Sequence, residues 1–246
     1  MTTQPIKPQS RATRSSQVVV FDFDHTLYDG DSLSHLLRWL IGRSVCRSAL
    51  ALLATPFLAP FVYLLRTRHT AIRAYIWIAT VQFRMVFDLN QAVNAFVSAQ
   101  QARIRRRLLL QGLGRLTAHC QAGDDVVIAT GAPVELAQAI LALVGRSDLA
   151  VIGTQLHFHR WRLCALRHCH HRKKVTMLTE AGFRPIAFAY SDSVADLPLL
   201  KAARQPVVVN PKKTQIPAFV RHLPAGTPIL NWGCRHRGGQ RTSVDS

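Results

Sequence analysis

Asp22 and Asp24 stand two residues apart at the end of an apolar, mostly β-branched run, Val18-Val19-Val20-Phe21. On an extended chain both carboxylates project from the same side. Two like charges held that close repel strongly unless a cation sits between them. The valine run suits a buried strand, because Val fits a pleated surface covered on both faces. In open parallel sheets, ligands bind at the carboxyl ends of strands. The stretch, with Thr26 following, therefore combines a cation site with a nucleophile site.

A second acidic pair, Asp192 and Asp196, follows the apolar run Ile186–Tyr190. The chain has only 13 Asp and Glu and a net charge of +18, and these four carboxylates fall into two short clusters after apolar runs. Random surface chemistry would not concentrate scarce acids so. Between them lie Thr130 and Gly131, after the run Val126–Ala129, and Lys174 near the start of a helical stretch. Lys173 is its rival by position. Backbone N–H groups at a strand-to-helix junction such as Thr130–Pro133 can hold an anion.

The order and chemistry of these pieces resemble the haloacid dehalogenase superfamily of phosphatases. The first motif there is usually Asp-x-Asp-Gly-Thr, and here His25 replaces the Gly. Ser191-Asp192-Ser193-Val194-Ala195-Asp196 is similar to the phosphoserine-phosphatase-like branch (subfamily IB), with Ala195 where Asn usually stands. A Gly expected shortly before the motif Lys is absent, and His170-His171-Arg172-Lys173 occupies that stretch. The segment Phe21–Leu27, then Leu36–Leu40, then a Leu/Ala/Pro-rich run, resembles the C-type phosphatidylglycerophosphatase family.

The resemblance implies an Mg²⁺-dependent phosphoric monoester hydrolase. Asp22 would be the nucleophile and Asp24 the acid and base. Lys174 would balance charge, and Thr130 with Gly131 would hold phosphoryl oxygens. Asp22, the Asp24 carbonyl, Asp192 and Asp196 would serve the metal. The implied substrate is phosphatidylglycerophosphate, hydrolysed to phosphatidylglycerol. A small soluble phosphomonoester such as phosphoserine is the alternative.

These residues need a scaffold. Strand-helix alternation from Val18 and again from Ala122 predicts an α/β fold, a Rossmann-like parallel sheet with a helical cap inserted after the first strand. The core is expected over 18–31 and 113–230, and the cap over 32–112. Residues 1–17 and 231–246 read as a disordered tail and a basic tail with little to bury. Residues 1–17 lack the apolar region of a secretory signal. Within the cap, helices are expected over 71–87 and 91–112.

Ser48–Leu65 carries no charge. As a straight helix it would reach ~27 Å, against a ~30 Å hydrocarbon core. Pro56 and Pro60 would kink or break it. Arg43 and Arg47 flank one end, Arg66 and Arg68 the other. Symmetric basic flanks suit a segment that dips into, or lies on, an anionic membrane surface, whereas a spanning helix shows a basic bias to one side. A buried hairpin within a soluble cap is the competing reading. The expected place is the cytoplasmic membrane with the catalytic domain facing the cytoplasm. No nucleic acid is expected, since the basic residues are scattered without a binding motif. No obligate protein partner is expected either.

Five Cys without regular spacing fit a reducing compartment. His157, His159, Cys164, His168, Cys169, His170 and His171 lie close together, but their spacing matches no zinc-finger pattern.

Overall fold

The computed structural model describes residues 16–63, 68–80, 86–159, 162–167, 169 and 171–234. The chain opens with β1 (Val18–Phe21), then five helices: α1 (Ser32–Gly42), α2 (Val45–Tyr63), α3 (Arg68–Thr80), α4 (Val86–Ala99) and α5 (Gln101–Arg105). The α/β part resumes with α6 (Leu110–Gln121), β2 (Asp125–Pro133), α7 (Val134–Ala142), β3 (Ala150–His159) and β4 (Arg162–Arg167). It continues through α8 (Arg172–Glu180), β5 (Ile186–Ser191), α9 (Leu197–Ala202) and β6 (Ala203–Val209), and ends with α10 (Ile216–His222) and β7 (Ile229–Leu230).

The sheet order is β4-β3-β2-β1-β5-β6-β7. All pairings are parallel except β3 with β4, which form an antiparallel pair at one edge. This is the expected Rossmann-like fold. The strand order reverses at β1, which lies between β2 and β5, so the switch point of the sheet opens at the end of β1.

Both faces of β1 are covered, as its unbroken apolar run requires. Val19 and Phe21 pack into one apolar layer with Leu36, Leu116 and Leu136. Val20 packs into the other with Leu178, Leu199 and Phe219. Asp31 caps α1, accepting the Ser34 N–H at 2.7 Å.

The two ends of the inserted helices are tied together. Asp29 N–H donates to the Arg107 carbonyl at 2.7 Å, and Leu109 N–H to the Leu27 carbonyl at 2.9 Å. The cap therefore returns to the core near Leu109, and the expected boundary at 113 moves back. Gly112 already belongs to the core: a Cβ there would meet the Trp232 ring at 3.0 Å and Leu27 at 3.1 Å. The helix expected over 91–112 is three helices, interrupted where Tyr28 bridges Leu108. The helix expected over 71–87 is replaced by α3, which ends at Thr80; Phe87 lies in α4, and Phe83 falls outside the described residues.

Two more expectations are corrected. Helix α2 runs unbroken through Pro56 and Pro60. Leu52 and Pro56 both lie on its exposed side, so the Leu52 carbonyl that Pro56 deprives of a donor is not sealed in a core. The tail expected from 231 starts later, because Trp232 and Cys234 are buried. Trp232 N–H donates to Asn210 Oδ1 at 2.6 Å, and Cys234 Sγ to Asp29 Oδ1 at 3.0 Å.

Candidate active site

β1 ends at Phe21, so Asp22 is the first residue past the strand, and its N–H donates to the Tyr190 carbonyl at 2.8 Å. Register pairs Phe21 with Tyr190. Asp22, just past β1, and Asp192, just past β5, therefore leave neighbouring strands at one edge. Asp22, Asp192, Asp196 and Lys174 are all buried there.

Lys174 reaches in from the first turn of α8. Its Nζ donates to Asp22 Oδ1 at 2.9 Å and to Asp196 Oδ2 at 2.7 Å. Burial works against its charge, but Asp196 and Asp22 outweigh burial and hold the ammonium above its ordinary range. Lys173 is exposed, so Lys174 is the lysine of the site. Asp196 Oδ2 also accepts the Ser191 hydroxyl at 2.8 Å. That carboxylate is thus turned inward as the anchor of Lys174.

Burial raises the Asp22 pKa, and the Lys174 charge opposes it. Asp24 is pushed further, well above the carboxylate range, first by burial and then by the Asp31 charge. The Ser32 N–H, donating to Asp24 Oδ1 at 2.9 Å, pulls the other way without prevailing. Asp22 is thus ion-paired to Lys174, whereas for Asp24 burial and the Asp31 charge both favour the protonated form.

His25, between Asp24 and Thr26, has φ 60°. The superfamily motif usually has Gly there because the loop must enter the left-handed region, which Gly occupies without cost and His tolerates better than most residues. Its N–H donates to the Tyr28 carbonyl at 2.7 Å. His171 likewise takes φ 52°, ψ −131° ahead of α8, in the stretch where the resemblance leads one to expect Gly.

Thr130 is fully buried near the end of β2, its Oγ1 accepting the Ala132 N–H at 3.0 Å. The hydroxyl proton remains to be donated elsewhere. The Gly131 carbonyl accepts the Thr154 hydroxyl at 2.7 Å. Both residues lie within β2, which runs on to Pro133 after a shift in its register with β3.

Asp22, Asp192 and Asp196 are buried at this edge together with Lys174, whose ammonium pairs with Asp22 and Asp196. Carboxylate oxygens gathered so are the donor type a hard cation takes. Among the described residues no group of three His, Cys, Asp or Glu side chains forms a metal cage by itself. A hard ion such as Mg²⁺ does not require such a cage, being held by one or two carboxylates, backbone oxygen and water. Of the Cys/His stretch, the side chains of His157, His159, Cys164, His168 and His170 lie outside the described residues.

The model of the haloacid dehalogenase-like hydrolases matches residues 19–201. The chain belongs to this family. The expectation of an enzyme of this kind thus stands. A probable phosphatase of Mycobacterium tuberculosis (strain ATCC 25618 / H37Rv) is 24% identical, over 94% of this chain and 80% of its own length. Among solved structures, a protein of unknown function from Bordetella pertussis Tohama I has TM-score 0.68 at 22% identity, covering 89% of this chain and all of its own. A phosphoserine phosphatase in apo form has TM-score 0.53 at 12% identity, covering 88% and 94%. These two likenesses concern the fold.

Asn210 is a site neighbour that residue patterns did not reveal. It sits at the end of β6 and donates from Nδ2 to the His25 carbonyl at 2.8 Å. The signal was there in principle: an Asn closing an apolar strand, just before Pro211.

Proposed function

We propose that this hydrolase cleaves a phosphomonoester through an aspartyl-phosphate on Asp22, and that its substrate is a membrane-lipid phosphate. In the first step an Asp22 oxygen bonds to phosphorus and the ester P–O bond breaks. Asp24 gives its proton to the departing alcohol oxygen. In the second, water attacks the aspartyl-phosphate, Asp24 takes the water's proton, and phosphate leaves with Asp22 restored. Lys174 neutralises the nucleophile and the phosphoryl group, and Asp196 with Ser191 keeps it in place. The Thr130 hydroxyl and Gly131 N–H hold phosphoryl oxygens. Phosphoryl transfer is mostly such positioning and charge neutralisation. Mg²⁺, held by Asp22, the Asp24 carbonyl and Asp192, would supply further positive charge to the phosphoryl oxygens.

The observation that carries the lipid reading is the outer face of α2. Val45, Leu52, Leu53 and Phe57 are 86%, 76%, 71% and 75% exposed on the cap. A water-facing helix does not ordinarily present such a row. Among the described residues no helix is long and apolar enough to cross a membrane, so the mode proposed is lying at an anionic interface. The net charge of +18 suits that surface and a headgroup such as that of phosphatidylglycerophosphate.

A second reading keeps the chemistry and makes the substrate a small soluble phosphomonoester. The fold likeness to phosphoserine phosphatase favours it. Phosphate release in detergent micelles with Mg²⁺, comparing phosphatidylglycerophosphate with phosphoserine, separates the two. Preference for the lipid, lost in Asp22→Asn, is expected. Preference for phosphoserine would transfer the function to the second reading. Release that persists in Asp22→Asn would overturn the assigned nucleophile.

A further inference from the structure

Beside Asp24 the cap presents a group of cations that the two chemical steps do not use. Helix α1 starts against the general acid, through the Ser32 N–H on Asp24 Oδ1. His35 and Arg38 follow from Asp31 at i+4 and i+7, so the three share one helix face. The returning chain brings Arg103 on α5 and, one turn on, Arg107. The clasp at the neck of the cap sets these two groups together, since the Arg107 Nη1 also donates to the Asp29 carbonyl at 2.8 Å.

The two groups meet at His35. Its Nδ1 pairs with the Tyr28 hydroxyl at 3.0 Å. His35 and Arg107 close over Gly30: a Cβ there would lie 2.8 Å from His35 Cε1 and 3.4 Å from Arg107 Nη1. No larger residue fits beneath them. Burial, with the charges of Arg107, Arg38 and Arg103 against Asp31, depresses His35 to about 4. The imidazole is thus neutral near pH 7, and the guanidiniums are the charge of the cluster. Arg38 and Arg103 are exposed. Among the described residues neither makes an ion pair with a carboxylate.

We propose that Arg38 and Arg103, over a floor of His35 and Arg107, form a second anion subsite that takes a phosphate group carried on the leaving alcohol. Along α1, His35 to Arg38 lies roughly 5–9 Å beyond the Ser32 contact with the acid. That is about the span of a three-carbon bridge between two phosphates. The required substrate class is an alcohol bearing a terminal phosphomonoester and a second phosphate, monoester or diester, one such bridge away. A glycerophospholipid headgroup and a soluble bisphosphate both carry this chemistry. Guanidinium suits it because its donors match phosphate oxygens in pairs.

The subsite deepens the proposed reaction and rests on Asp22 as the reacting centre, but not on a membrane. Its test is binding to full-length Asp22→Asn with Mg²⁺, measured by calorimetry with 1,3-propanediol bisphosphate and with propyl phosphate. The bisphosphate is expected to bind about tenfold tighter, which is about 1.4 kcal/mol. Adding Arg38→Gln and Arg103→Gln should collapse that preference towards one, with circular dichroism confirming the fold. Equal affinity for the two ligands, or a preference that survives both substitutions, overturns the subsite. Turnover by Asp22→Asn would instead sink the assigned nucleophile, and the binding preference would still decide the subsite. Comparing KM for micellar phosphatidylglycerophosphate and for its deacylated headgroup assigns the source. A lower KM for the lipid points to the headgroup in a membrane, an equal or higher one to a soluble ester, and the subsite stands in both cases.

Discussion

Asn210 holds the His25 carbonyl at 2.8 Å across 185 residues of sequence. Its other amide atom, Oδ1, accepts the Trp232 N–H at 2.6 Å. One buried side chain thus joins the loop between Asp24 and Thr26 to the last buried turn of the chain. Its own φ of 48° lies in the left-handed region, so Gly is the substitution that removes the side chain without adding strain. Asn210→Gly removes both hydrogen bonds and takes this acceptor from the buried Trp232 N–H, and should cost about 1–3 kcal/mol in urea unfolding. Because it lets the Asp24 loop drift, kcat should fall about tenfold with KM little changed. An unchanged kcat would make Asn210 structural only.

His35 gives a pH dependence with a definite sign. Its folded pKa is lowered from 6.5 to about 4, chiefly by burial and then by Arg107 and Arg38. Between those values the unfolded chain binds a proton that the folded one refuses. Stability should therefore fall as pH drops from about 6.5 to about 4. His35→Asn keeps an acceptor for the Tyr28 hydroxyl and cannot titrate. Chemical denaturation across that window should show a shallower slope for the variant. Parallel curves would remove His35 as the source.

His171 enters α8 at φ 52°, ψ −131°, a region that costs a side chain about 1–3 kcal/mol. His171→Gly should relieve that strain, offset by the greater entropy of an unfolded glycine. A net gain of roughly 1 kcal/mol is expected in denaturant unfolding. A loss of stability would show that the imidazole makes up for its backbone.

The sequence made much of the site legible, for physical reasons. Carboxylates placed directly after the apolar run Val18–Phe21 mark the carboxyl end of a buried strand, and scarce acids made Asp192 and Asp196 conspicuous. The positive φ at His25 and His171 was harder to read, because His marks no backbone conformation as Gly does. Trp232 and Cys234 were lost in a basic, glycine-rich stretch, since their burial depends on Asn210 and Asp29, both distant in sequence. Pro56 and Pro60 argued for a break in α2. Local propensity could not foresee that the chain keeps helical geometry there with Leu52 and Pro56 on the exposed side.

That exposed side supplies the last prediction. Leu52 and Phe57 lie on the outer face of α2, 76% and 75% exposed, so neither holds the cap together. Burying an apolar side chain of this size is worth roughly 1.5–3 kcal/mol. If α2 rests in an anionic interface, the pair Leu52→Asn and Phe57→Asn should weaken vesicle binding by about a hundredfold. Thermal unfolding should be unchanged, because the side chains are in water without the membrane. Co-sedimentation with vesicles containing phosphatidylglycerol measures the loss. Raising the salt separates the two contributions. Attraction between the basic protein and the anionic surface is screened within a Debye length, whereas apolar insertion is not. Wild type should therefore keep part of its binding at high salt, and the double variant almost none. Identical salt curves for the two proteins would leave charge as the sole attraction and free α2 for some other contact.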